Sequence, residues 1–357
     1  MPTTITDAAA ARLRTIVHLG FQQALRRFPD RLHEAHFVFG GCPVRIRIVG
    51  REMAGSITLP FSHLRQSEPE QRVPELCIDL WDESETGIRF SVEVQNDNGP
   101  FKTMTALSPD GRFVGQRRRN SLTCYNREAG HIIGSVIWRN QLSVYERGKP
   151  LDRALLEWHN DRNVQIIHAG LVAWRGQGVL LAGKSGAGKS TTALACFFDG
   201  FDFLSEDFVG LQKAPGGSFV GHSIYNSVFL KIDHLKRFPN LVPYVTQGMP
   251  HEEKHFVFLS QIVPYRFERD VPIRALVLPR IVDKSNPSFR PASKGEALLA
   301  LGPSSFLEIP NRGLGVRGLE KIAQLIERVP CFWLETNKDL ASIPHRVQEI
   351  LSAARAL

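Results

Sequence analysis

Residues 183–190 read GKSGAGKS, preceded by the apolar run VLLA at 179–182 and followed by the helix-like TTALACFF. A chain that passes from a buried strand through a glycine-rich turn into a helix is committed there to the strand–loop–helix of an α/β sheet. Gly183, Gly186 and Gly188 fall where a side chain would block either the turn or whatever the turn encloses. Backbone N–H groups converging inside such a turn, with the positive end of the next helix behind them, form a cradle for phosphate. The spacing is that of G-x-x-x-x-G-K-[ST], with Lys184, Ser185 and Ala187 completing the loop and Thr191 opening the helix behind it. In that pattern Lys189 reaches the outer phosphates of a nucleotide and Ser190 offers its hydroxyl to Mg²⁺, so Ser190 is a metal candidate.

The remainder of the 357 residues limits what this loop can serve. With 43% apolar residues the chain can build large cores, and its length suggests two or three domains. No apolar run approaches the roughly 18 to 20 residues of a membrane span, so no membrane partner is expected. The basic N-terminal stretch TDAAAARLRTIVHLGFQQALRRFP lacks a signal peptide's apolar centre and reads as a surface-packed helix. Five scattered cysteines without C-x-x-C spacing argue against a disulfide framework and a zinc site, which fits a reducing cytoplasm. A formal charge of +8, densest at Arg117, Arg118 and Arg119, is modest for this length and does not favour a nucleic-acid partner. Oligomeric state is left open, with a homo-oligomer compatible.

Two textures divide the chain near residue 150. Before it, HFVF, VRIRIV, PELCIDLW, IRFSVEV, RFVGQRR, SLTCY, IIGSVIW and LSVYE alternate in strand fashion between turn signals such as NDNGP and SPDGR. These segments predict a β-rich, mostly antiparallel N-terminal domain over 1–150. After it, LDRALLEWHN reads as a helix, and VQIIHAGLVAW, GVLLAG, FDFLSEDFVGLQ, SFVGHSIY, RALVLPRIV and CFWLET alternate with GEALLAL, GLEKIAQLIERV and SIPHRVQEILSAARAL. That alternation predicts an α/β nucleotide-binding domain over 151–357.

The second acidic site separates the classes of phosphate-loop protein. Glu206 and Asp207 follow the strand FDFL one short helix after the loop, where a carboxylate can assist Mg²⁺ and its neighbour can take a proton from an attacking hydroxyl. DFVG at 207–210 imitates a GTPase D-x-x-G, and NKDL at 337–340 imitates N-K-x-D. Both fail on spacing: the acid comes too soon after the loop, and Asp339 falls one position early. No LSGGQ-like segment supports a transport ATPase.

The run VQIIHAGLVAWRGQGVLLAGKSGAGKSTTALACFFDGFDFLSEDFVGL resembles the core of HPr kinase/phosphorylase and its relatives, a superfamily that includes ATP-dependent phosphoenolpyruvate carboxykinase. The resemblance spans about residues 164–211 and rests on His168 in a strand before the loop, on the loop itself and on the acidic pair one helix later. ALVLPR with Arg280 also looks like a motif of HPr-kinase-related proteins of biosynthetic clusters, whereas the first 150 residues do not resemble the N-terminal domain of the HPr enzyme. The resemblance implies an HPr-kinase-like α/β core that uses ATP and Mg²⁺ to phosphorylate a hydroxyl, with serine the leading choice, on a peptide, protein or small metabolite. It implies Asp207 as metal partner, Glu206 as general base where the family usually has aspartate, and His168 as an active-site residue beside them. Arg280 is a candidate clamp for the transferred phosphate, with a surface salt bridge as the other account. His222, Tyr225 and Asn226, and more remotely Lys254 and His255, are candidates for the acceptor pocket. The alternatives are a regulatory module that binds nucleotide without phosphotransfer, and a phosphorylase or carboxykinase-like enzyme.

Overall fold

The computed structural model describes residues 3–67, 72–90, 104–137, 141–248, 252–284, 288–306, 312–337 and 339–356. Two compact units emerge, one of Met1–Asp161 with Gly248–Glu252, the other of Arg162–Gln247 with Glu253–Leu357.

The first unit is built on an eight-stranded sheet. Helix Asp7–Arg27 starts at Thr6, whose side chain accepts the Ala9 N–H, and buries Val17, Phe21 and Ala24 against Trp81, Cys124 and Ile133 of the sheet. Four of the seven described strand pairings are antiparallel, but the sheet is mixed, because strand Leu76–Asp82 runs parallel both to Cys42–Val49 and to His131–Val136. The chain leaves Cys42–Val49 through helix Arg51–Thr58 and returns in the same direction, a crossover that forbids a hairpin. LSVYE is not a strand. Val144–Gly148 is a helix begun by a capping box, in which the Ser143 side chain accepts the Glu146 N–H and the Glu146 carboxylate accepts the Ser143 N–H. Those local bonds outweigh the strand preference of Val144 and Tyr145. Residues 91–94 of the expected strand IRFSVEV and the turn NDNGP lie outside the described residues.

The second unit is α/β, as the alternation of segments implies. In sheet order it runs Asp202–Ser205, Gly170–Trp174, Gln177–Leu181 and Asp270–Ile281, then Phe219–His222, Phe208–Lys213 and Gln165–His168. Strand Cys331–Thr336 lies parallel to the far half of Asp270–Ile281. Helices Lys189–Phe198 and Ser342–Arg355 pack on one face through Ala193, Cys196, Val347 and Ile350. Ala297, Leu301, Ile322 and Leu325 cover the other face. The strand before the phosphate loop, Gln177–Leu181, is thus central, with Gly170–Trp174 on one edge and Asp270–Ile281 on the other. Among the described residues, no helix is long and apolar enough to cross a membrane.

Candidate active site

The loop that follows Leu181 has the backbone its glycines are needed for. Gly183, Gly186 and Gly188 have φ of 146°, 81° and 107°, a region L-residues with side chains rarely enter. Ala182 is tied to the neighbouring strand by its N–H to the Val277 carbonyl, 2.9 Å, so the loop springs from a fixed point. Lys184, Ser185 and Gly186 are exposed at the mouth, Ala187 is half-buried, and Thr191 is buried behind them.

Lys189 is the first residue of the helix and is only 8% exposed. Its ammonium donates to the Gly183 carbonyl across the loop, 2.7 Å, and among the described residues it forms no salt bridge. Burial pushes its pKa below that of an ordinary lysine, and the charges of Asp207 and Glu206 oppose that fall only in part. A buried cation that meets one carbonyl directly and two carboxylates only at a distance, beneath a glycine cradle at a helix N-terminus, has charge left over for an anion.

The two acids are neighbours in sequence but point to different partners. The chain breaks between strands Asp202–Ser205 and Phe208–Lys213, and the Ser205 hydroxyl stitches this bend by donating to the Phe208 carbonyl, 2.7 Å, and accepting the Asp207 N–H, 3.2 Å. Across the bend Glu206, only 7% exposed, accepts a hydrogen bond from the Ser190 hydroxyl. Asp207 instead meets Nε2 of His168. His168 ends strand Gln165–His168 in register with Phe208, and the Ala169 N–H donates to the Asp207 carbonyl, 3.0 Å, which holds the two residues side by side. The Ser305 hydroxyl accepts the His168 N–H from behind, 3.2 Å.

Loop, lysine, serine, acids and histidine therefore gather at one end of the sheet. Arg280 does not share their bonds: its guanidinium donates to Glu335, 2.7 Å, and lies 5.5 Å from the centre of the Trp333 ring. Arg280 and Lys284 together hold the Glu335 carboxyl down at about 2. His222, Tyr225 and Asn226 are all buried, and His222 Nε2 is hydrogen-bonded to Gln212, 2.9 Å. Burial pushes the His222 imidazole below its ordinary pKa. Lys254 lies near enough to Lys189 to lower the latter's pKa further. Pro279, Ile281 and Thr336, to which the sequence gives no site role, lie against the last glycine of the loop: a Cβ placed on Gly188 would lie 3.6 Å, 3.9 Å and 3.8 Å from them, ordinary contact distances. These contacts are made across the sheet, so motif spacing carries no trace of them.

Fold and loop together define a phosphate-loop α/β protein. Over part of its length the chain is similar to HPr kinases, and it spans less than a fifth of the curated relatives it matches. It is 41% identical over 66 residues to a putative HPr kinase/phosphorylase of Fusobacterium nucleatum, a match covering 18% of this chain and 11% of that protein. To an HPr kinase/phosphorylase of Treponema pallidum it is 36% identical over 62 residues, covering 17% of this chain and 19% of the relative. Among solved structures, the HPr(Ser) kinase/phosphatase of Coxiella burnetii aligns over 54% of this chain and 93% of its own, with 15% identity and a TM-score of 0.32. No family model matches.

Proposed function

We propose that the protein transfers the terminal phosphoryl group of ATP to a hydroxyl, with serine as the leading acceptor on a peptide, protein or small metabolite. The observation that carries this reading is the buried Lys189 ammonium, which among the described residues has no ion-pair partner beneath the glycine cradle, while an acid–hydroxyl pair and an acid–histidine pair stand beside it. In this reading Gly183 to Thr191 hold the phosphates, and Lys189 stabilises charge as it moves to the leaving oxygens. The acceptor oxygen bonds to the terminal phosphorus, the bond to the bridging oxygen breaks, ADP leaves and the acceptor proton passes to a carboxylate.

The division of labour between the acids is also a proposal. The sequence reading gives the metal to Asp207 and the proton to Glu206, but the hydrogen bond from Ser190 to Glu206 favours the reverse. Ser190 and Glu206 would then hold Mg²⁺, which when bound neutralises phosphate charge. Asp207 would take the proton, with His168 fixing its orientation. A phosphate clamp is not assigned to Arg280, whose charge Glu335 already answers.

The test uses purified protein, Mg²⁺, ATP labelled at the terminal phosphate, and cell extract as the source of acceptor. Label should move to an acceptor, and Lys189→Ala should abolish the movement. Nucleotide binding without transfer would instead identify a regulatory module.

A further inference from the structure

Ile281 ends strand Asp270–Ile281 with its side chain 57% exposed. Single exposed apolar residues are ordinary on protein surfaces, so exposure alone says nothing. Its position does: the side chain lies beside Gly188, the last glycine of the phosphate loop, with Pro279 and Thr336 as the other neighbours. Successive strand residues face opposite ways. Pro279 and Ile281 accordingly turn to the loop, whereas Arg280 between them turns to Glu335 and Trp333.

The sheet order gives the loop mouth a direction. Strand Gly170–Trp174 lies on one edge of Gln177–Leu181, and a Cβ on its Gly170 would come 3.3 Å from the Glu206 carbonyl, so the acids belong to that flank. Asp270–Ile281 and then Cys331–Thr336 lie on the opposite flank. In the proposed donor reading, a nucleotide whose terminal phosphate meets the acids would have the Ile281 flank open to its other end. The rim there is held firm by the Val282 N–H to the Thr336 carbonyl, 2.8 Å, and by the Asn337 amide to the Lys284 carbonyl, 2.9 Å.

We infer that the rim at Ile281 and Thr336 is the nucleoside subsite of the donor, with the Ile281 side chain covering one apolar face of the base. The inference rests on the proposed donor reading of the loop. A base has a broad apolar face and would remove the exposed Ile281 surface from water, a gain that tripolyphosphate, which has no base, cannot make.

Calorimetric titration of wild type, Ile281→Ala and Ile281→Val with MgATP and with magnesium tripolyphosphate tests this directly. Wild type should bind ATP more tightly than tripolyphosphate. Ile281→Ala should weaken ATP by about tenfold and leave tripolyphosphate unchanged, while Ile281→Val keeps most of the ATP affinity. An Ala variant that weakens both ligands alike, or neither, overturns the subsite and leaves the donor reading standing. Wild type that binds neither ligand, or Lys189→Ala that binds ATP as well as wild type does, overturns the donor reading and the subsite with it.

Discussion

Lys189 in the second unit and Asp79 in the first are both buried, at 8% and 4% exposure, yet their surroundings differ in kind. Asp79 receives two hydrogen bonds from Arg47, both 2.7 Å, and one from His131 Nε2, 3.0 Å, along neighbouring strands. Burial alone would raise its pKa, but His131 and Arg47 outweigh burial and hold the carboxyl below its usual range. Lys189 has a carbonyl and two acids at a distance, and its pKa falls. A buried charge that is matched by its neighbours is costly to strip of any one of them. In the proposed function, one that is left under-answered at a loop mouth is held for a ligand of opposite sign.

The sharpest way to break this contrast is Lys189→Ala. Transfer should fall by about 10³-fold or more, while the melting temperature stays level or rises, since the variant removes a poorly compensated buried charge. Labelled-ATP transfer and scanning calorimetry read the two effects, and a marked drop in melting temperature would erase the distinction. Asp79→Ala should do the opposite. It should destabilise the protein by about 3 kcal/mol near neutral pH and leave MgATP affinity unchanged. Because the folded-state pKa of Asp79 is lowered, its contribution is present above its unfolded value of about 3.9 and is lost as pH falls through the folded value. Urea melts of wild type and variant should therefore converge below about pH 4.

The acids sharpen the comparison within the site. Asp207→Asn should slow transfer by about 100-fold with nucleotide affinity nearly intact, and Glu206→Gln should chiefly raise the Mg²⁺ concentration required. The reverse pattern in rate and metal titrations would restore the division expected from sequence. The smallest effect belongs to Arg280→Ala. Its ion pair with Glu335 is 41% exposed on the arginine side, so stability should change by less than about 1 kcal/mol, and transfer should stay within about tenfold. A larger loss of rate would return Arg280 to the phosphate.

The phosphate loop was legible because its requirements are local: positive φ at fixed offsets and a lysine and serine beginning a helix. That His168 stands beside the acidic pair was implied only by the resemblance, since a histidine in a strand is otherwise read as a core residue. Which acid meets which partner was not legible, because that depends on the bend stitched by Ser205. Strand segments of the first unit could be read from alternation, but their directions could not, since these follow from crossovers such as Arg51–Thr58. At Ser143 and Glu146 a capping pair lay in plain view and was overridden by the apolar pattern of LSVYE. Asp79 was invisible as a site because Arg47 and His131 stand 32 and 52 residues away.

The capped helix at Val144–Gly148 carries one more consequence. Its first amide, that of Val144, donates to a carboxylate oxygen of Glu252, 2.9 Å, and Glu252 belongs to the same compact unit although 108 residues separate the two. The N-terminal unit is consequently not a cassette that ends at Asp161. A gene fragment stopping there would encode the whole eight-stranded sheet and still omit the acid that finishes one of its helices. Any exchange of this unit between proteins, in the laboratory or in evolution, has to carry a second, distant scrap of sequence with it.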